Sequence, residues 1–234
     1  DAHSVVTDRG YLRIQKKWRS AVSSQIDVPF YQIEDNVVVP VETASNKEEY
    51  AAYTIRPKIE DKMESFCKTV EEEGPNKSSL DLEIPLETEV LNDIDSTIDK
   101  LDLNESVKPV KSFKGGFDKA ESHLRQFIST KLDRFGELRN DPSKDYLSHM
   151  SPYLHFGQIS PIYIAEQVKG SGSPSIDEYL EELVIRRELS MNFVHYNDSY
   201  DKFESILPDW ARETLQEHSS DDREYLYDLN DLET

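Results

Sequence analysis

Two stretches combine residue types and spacing that could do chemistry. In Tyr146-Leu147-Ser148-His149-Met150-Ser151-Pro152, the hydroxyls of Ser148 and Ser151 lie close together just before helical sequence. Hydroxyls and the unpaired amide N–H groups of a first helical turn suit a phosphate or pyrophosphate. Plain helix capping uses the same groups and is the simpler account of these residues alone. In Tyr179-Leu180-Glu181-Glu182-Leu183-Val184-Ile185-Arg186-Arg187-Glu188-Leu189, Glu182 and Arg186 are four apart and can pair on one helix face. A surface ion pair is again the simpler account.

Other chemistry finds little support. The histidines are His3, His123, His149, His155, His195 and His218, and none belongs to a His-Glu-x-x-His pair, so no metal site is expected. Gly115-Gly116 lacks the lysine spacing of a phosphate-cradling loop, and no Gly-x-Ser-x-Gly elbow occurs. Cys67 is the single cysteine, which excludes an internal disulfide framework and points to a reducing, cytoplasmic setting.

The elements that must position these residues fall into three stretches of a 234-residue chain. Lys and Arg number 27 against 47 Asp and Glu, a net charge of −20 that disfavours a generic nucleic-acid binder while leaving room for a local basic groove. Hydrophobic residues at 36% allow a packed core, and a mean hydropathy of −0.69 without a long apolar run argues against a membrane span.

Over residues 1–65 the pattern is α/β. Ser4-Val5-Val6-Thr7 is β-rich, and Tyr11 to Val22 carries Leu12, Ile14, Trp18, Ala21 and Val22 on roughly one helical face. The runs from Val28 to Ile33 and from Asn36 to Val41 have strand length. The order predicts a parallel sheet, with too few strands to close it, so the chain is expected to begin inside a domain. Residues 66–112 are polar, acidic and turn-rich, as in an exposed linker with one short helix. Residues 113–234 read as helical. Helices are expected from Phe117 to Phe135, from Ile162 to Val168 behind Ser160-Pro161, from Asp177 to Tyr196, and once or twice around Trp210 to Leu229.

Several segments in this order resemble one family. They are Val5-Val6-Thr7-Asp8-Arg9-Gly10-Tyr11-Leu12-Arg13, Val39-Pro40-Val41-Glu42-Thr43-Ala44-Ser45-Asn46-Lys47-Glu48-Glu49-Tyr50-Ala51-Ala52 running on to Thr54-Ile55-Arg56-Pro57-Lys58-Ile59, and Ser106-Val107-Lys108-Pro109-Val110 with Gly115-Gly116. Arg139-Asn140-Asp141-Pro142, Leu154-His155-Phe156-Gly157-Gln158, Glu181-Glu182-Leu183 with Arg186-Arg187-Glu188-Leu189, and Leu207-Pro208-Asp209-Trp210-Ala211 follow. Together they resemble the class II cyclobutane pyrimidine dimer photolyases of the photolyase–cryptochrome superfamily.

The resemblance implies an α/β remnant of a Rossmann-like antenna domain followed by an all-α FAD-binding domain, both incomplete, with further helices expected beyond Thr234. It implies light-driven repair of UV-damaged DNA. A dimer is flipped out of the duplex, and excited reduced FAD lends it an electron that splits the cyclobutane ring and then returns. A second antenna chromophore is a further possibility of the family. Carried over residue by residue, Leu147, Ser148, Met150 and Ser151 match the flavin phosphate segment, and Arg186 matches an arginine beside the flavin. Glu182 matches the glutamate that contacts the dimer and is the catalytic candidate. Arg139 and Asn140 lie where the family contacts DNA around the lesion. Phe135 stands where a tyrosine is usual, keeping the ring of the cofactor site and losing the hydroxyl. The resemblance further implies a monomer that binds neither membrane nor metal. Two rivals share parts of this picture: a cryptochrome-like photoreceptor with FAD and no repair, and an acidic helical fragment with no cofactor.

Overall fold

The computed structural model describes residues 2–68, 73–78, 81, 83, 93–101, 103, 106 and 110–232. Packing divides the chain into two units, one of residues 1–67 with 177–234 and the other of residues 68–176.

The first unit opens with β1 (Val5–Asp8), whose β-branched residues suit an extended strand. Helix α1 (Arg13–Ser23) leads to β2 (Phe30–Ile33), which pairs parallel to β1 with Val5 opposite Phe30. The expected strand–helix–strand unit is therefore present. The run expected as a third strand is not one. Val37, Val38 and Val39 are buried without strand pairing and lead into a short helix, α2 (Val41–Ala44). The cause is a long-range contact: the Val38 and Val39 amides, which a sheet neighbour would need, donate instead to the buried carboxylate of Glu188.

Helix α3 (Ala52–Phe66) buries Ile55 and Ile59, one turn apart. The α/β pattern expected for this stretch did not include it. The expected apolar face of α1 stays largely in solvent, with Trp18 61% exposed. Short helix α4 (Ile94–Ile98) is capped by Asp93, whose side chain accepts from the Asp95 and Ser96 amides. Within the expected linker, and within the quoted segment Ser106–Val110, residues such as Val107, Lys108 and Pro109 lie outside the described residues.

In the second unit, α5 (Phe117–Thr130) buries Ala120, Leu124 and Phe127 at helical spacing. The expected single helix to Phe135 is broken at Lys131. A tight 3₁₀ turn (Leu132–Arg134) follows, then α6 (Phe135–Leu138). Gly116, at φ +106, adopts a backbone conformation that a side chain would strain, and its amide donates to Gln158 Oε1 at 2.9 Å. That bond ties the start of α5 to the loop after α7 (Ser151–His155). Helix α8 (Pro161–Lys169) starts as its sequence predicts, with Ser160 Oγ accepting from the Ile162 and Tyr163 amides.

The chain then enters a long helix of the first unit, from α9 (Ile176–Leu180) through a wide π turn (Glu181–Arg186) into α10 (Arg187–Tyr196). Its expected span holds, but the interior π turn was not foreseen. Helices α11 (Phe203–Ile206), α12 (Asp209–Glu217) and α13 (Leu229–Leu232) complete the described chain, with Trp210 70% exposed.

Candidate functional site

Glu182 and Arg186 do meet. Arg186 Nε stands 3.3 Å from Glu182 Oε1 and 3.4 Å from Glu181 Oε1. The second distance depends on the π turn. At about 100° per residue, an α-helix carries position i+5 about 140° around the axis from position i. Where the backbone closes i to i+5 hydrogen bonds, that residue comes back nearly above its partner. Residues 181 and 186 are such a pair, so one guanidinium reaches two adjacent carboxylates.

Glu181 is held from a second helix. Arg56 on α3 donates from Nε to Oε2 at 3.0 Å and from Nη2 to Oε1 at 2.8 Å. This two-pronged geometry fixes a carboxylate more tightly than one contact can. The Glu181 side chain is 18% exposed and that of Glu182 is 41% exposed, so the held carboxylate is the more sheltered.

At the start of α10, two residues past Arg186, Glu188 is 2% exposed and accepts from the Val38 amide at 2.5 Å and the Val39 amide at 3.2 Å. Burial pushes its carboxyl up to about 7, against the opposing effect of those two amides and the Arg187 charge. Arg187 Nη1 donates to the Asn36 carbonyl, and burial lowers its pKa. Asn192 accepts from the Glu49 amide at 2.7 Å and donates to the Lys47 carbonyl at 3.0 Å. Glu49 is also buried. Burial disfavours its charge, yet the Lys58 ammonium and the hydroxyl of Ser45 (2.6 Å) outweigh that and hold the carboxyl at about 2. Side chains from α10 thus carry the backbone polar groups of the two segments flanking α2.

The second unit holds the remaining candidates. Leu147 is 47% exposed and Met150 is buried. Ser148 is half-buried, Ser151 is exposed, and Ser151 is the first residue of α7. Ser148 Oγ lies 3.4 Å from the Met150 amide, beyond the ordinary range of an N–H···O bond, so the hydroxyl is only weakly engaged there. His149 between them has φ +55, a left-handed conformation uncommon for a side-chain-bearing residue. Its Nε2 lies 2.8 Å from Asp145 Oδ1, and Asp145 also accepts from Lys131 Nζ at 2.8 Å. Lys131 first, and His149 next, hold Asp145 below its ordinary range. The Phe113 ring sits 6.1 Å from that of His149.

Phe135 is buried edge-on against Phe127, and the Arg139 guanidinium lies 5.4 Å over its ring. Asn140 is exposed next to the half-buried Arg139.

The structure therefore joins Glu182 to Arg186, gathers Ser148 to Ser151 with Asp145 and Lys131, and sets Arg139 on Phe135. Arg56, Glu181, Glu188, Asn192 and Glu49 were not singled out from the sequence. Their only signal was location, since Glu49, Arg56, Glu181 and Glu188 fall within the segments that carry the family resemblance. Among the described residues no cluster of His, Cys, Asp or Glu could hold a metal ion, and no helix is long and apolar enough to cross a membrane.

Comparison with known proteins follows the same line. Residues 1–76 match the family model described as DNA photolyase. The chain is 47% identical over 234 residues to a deoxyribodipyrimidine photo-lyase of Methanothermobacter thermautotrophicus, a match that covers all of this chain and 50% of that protein. It is 37% identical over 235 residues to the protein of the same name from Potorous tridactylus, covering 98% of this chain and 43% of that one. The chain thus spans about half the length of the curated relatives it matches. Among solved structures, a Synechocystis sp. PCC6803 cryptochrome aligns with a TM-score of 0.63 at 17% identity, over 93% of this chain and 48% of that one. A class III photolyase from Agrobacterium tumefaciens aligns at 0.56 and 19%, over 91% and 46%. At those identities the structures speak for the fold alone. Along essentially its whole length the chain is thus similar to curated deoxyribodipyrimidine photo-lyases, and its fold is similar to that of a photolyase and a cryptochrome.

Proposed function

We propose that this chain is part of a class II deoxyribodipyrimidine photo-lyase, which uses FAD and light to split cyclobutane pyrimidine dimers in DNA. The observation that carries the proposal is identity along essentially the whole chain to proteins bearing that name. In this reading residues 1–65 belong to a Rossmann-like antenna domain, 66–112 link the domains, and 113–234 belong to the helical FAD domain. A second chromophore, a monomeric state and a cytoplasmic setting belong to the same reading.

The residues present fit a phosphate-bearing cofactor. Ser148 and Ser151 offer two hydroxyls where the chain turns into α7, and the protein's own hold on Ser148 is weak. In this reading Leu147, Ser148, Met150 and Ser151 hold the flavin phosphates, Phe135 contributes a ring without a hydroxyl, and Arg186 stands beside the flavin. When bound, reduced FAD supplies the photoexcited electron. Glu182 contacts the extruded dimer, where a fixed polar group can stabilise charge developing on a base carbonyl. Arg139 and Asn140 contact the DNA around the lesion. Arg139 brings a guanidinium already seated on an aromatic face, which restricts where its charge can stand.

The test is Glu182→Ala in the full-length protein. Slower repair at unchanged flavin content supports the assignment. Loss of flavin with unchanged repair per remaining flavin contradicts it. A photoreceptor of the same superfamily would keep photoreducible FAD and leave dimers intact in the unsubstituted protein.

A further inference from the structure

Arg56 lies 125 positions before Glu181 and on a different helix, yet it makes the best-formed ion pair around the Glu182–Arg186 pair. Two donors meet two acceptors at 3.0 and 2.8 Å, whereas Arg186 reaches its two carboxylates through Nε at 3.3 and 3.4 Å. Without Arg56, Glu181 would lose the two-pronged contact that fixes it beside Arg186 and Glu182. With Arg56 it becomes a fixed acceptor, because both its oxygens are already engaged by a planar fork. The π turn is what lets Arg186 touch this fixed point and Glu182 together. Such turns in helices often occur at functional sites.

We propose that Arg56 is a positioning residue: by clamping Glu181 against the π turn it sets where the Arg186 guanidinium stands, and through Arg186 it orients the Glu182 carboxylate for the pyrimidine dimer. This role rests on the assignment of Glu182 to the dimer made above. In this role Arg56 acts on Glu181 and needs no contact of its own with dimer or flavin. It acts through two intervening side chains, so its loss reduces recognition of the lesion without removing the group that recognises it.

The experiment uses the full-length protein with bound flavin and a short duplex carrying one thymine dimer, with the undamaged duplex as control. Dissociation constants are measured in the dark for Arg56→Met, Arg56→Lys, Glu182→Ala and the double variant Arg56→Met/Glu182→Ala. Arg56→Met is expected to weaken dimer binding about 3- to 10-fold, the range of one ordinary hydrogen bond, because its effect reaches the dimer only through other side chains. Binding of undamaged duplex and flavin content should be unchanged. Arg56→Lys, which keeps the charge and loses the fork, should recover part of the loss. In the Glu182→Ala background, Arg56→Met should add nothing, which separates positioning from a general structural or electrostatic effect. An equal loss with and without Glu182, or an equal loss on undamaged duplex, overturns the positioning role. A deficit in Glu182→Ala with none in Arg56→Met overturns it alone. No deficit in Glu182→Ala overturns the assignment of Glu182, and the role of Arg56 with it.

Discussion

Replacing Glu188 by Gln should change how stability depends on pH, and the structure sets both the sign and the size. The Glu188 carboxyl is 2% exposed and sits at about 7 in the folded chain, against 4.5 for a free glutamate. Between those values the folded state keeps a proton that the unfolded chain has lost. Stability then falls as pH rises, by at most about 1.4 kcal/mol per pH unit, and levels off above the folded pKa. Integrated from pH 5.5 to 8, this one group removes about 2 kcal/mol of stability. The lower limit is set by solubility, since the sequence pI is 4.6. Gln cannot titrate, and its single oxygen can satisfy only one of the Val38 and Val39 amides, which costs about 1–3 kcal/mol. The variant should therefore be clearly less stable at pH 5.5, and the gap should narrow by about 2 kcal/mol by pH 8. Urea unfolding of both proteins at pH 5.5, 6, 7 and 8, compared at equal m-values, measures this, and groups common to both proteins cancel in the difference. Parallel stability curves would refute the claim that burial dominates at Glu188. A gap that widens with pH would mean that the two amides and Arg187 outweigh burial.

Three further outcomes follow from particular contacts. Lys58→Met leaves the buried Glu49 carboxylate with the Ser45 hydroxyl and without its cation, and should cost about 1–3 kcal/mol in denaturant unfolding at pH 7; Ser45→Ala should cost less. At His149, held at φ +55, Asn should be tolerated and Val should cost about 1–2 kcal/mol of backbone strain, read as a lower thermal midpoint. Phe135→Tyr places a hydroxyl at a buried ring. Under the cofactor reading it should lower the midpoint of flavin-free protein and enlarge the rise on adding FAD, measured by calorimetry.

The legible parts of this fold are those whose cause is local. The β-branched run at Val5, the stripe from Ala120 to Phe127 and the Ser160-Pro161 start each carry their explanation within a few residues. Val37-Val38-Val39 misled for the opposite reason. Its apolar side chains are those of a buried strand, but its amides are taken by Glu188 from 149 and 150 positions away. Helix α3 stayed hidden because its buried side chains are few, Ile55 and Ile59, and Pro57 interrupts the pattern. At the candidate site, four-residue spacing made the meeting of Glu182 and Arg186 readable. Hydrophobic periodicity cannot report a change of backbone bonding from i+4 to i+5. The π turn, and with it the approach of Arg186 to Glu181, therefore needed the structure, as did the clamp from Arg56. The conformation of His149 was equally unreadable, because histidine, although enriched in the left-handed region, adopts it too seldom for the residue type to mark it.

The central claim is that these residues serve light-driven repair of DNA. Its most direct test is to express the full-length protein, load it with FAD, reduce the flavin, and follow loss of thymine dimers from an oligonucleotide under blue light and in darkness. The account predicts loss in the light, none in the dark, and a rate cut by Glu182→Ala at equal flavin content. Dimers that persist in the light, with reduced FAD bound, would contradict it.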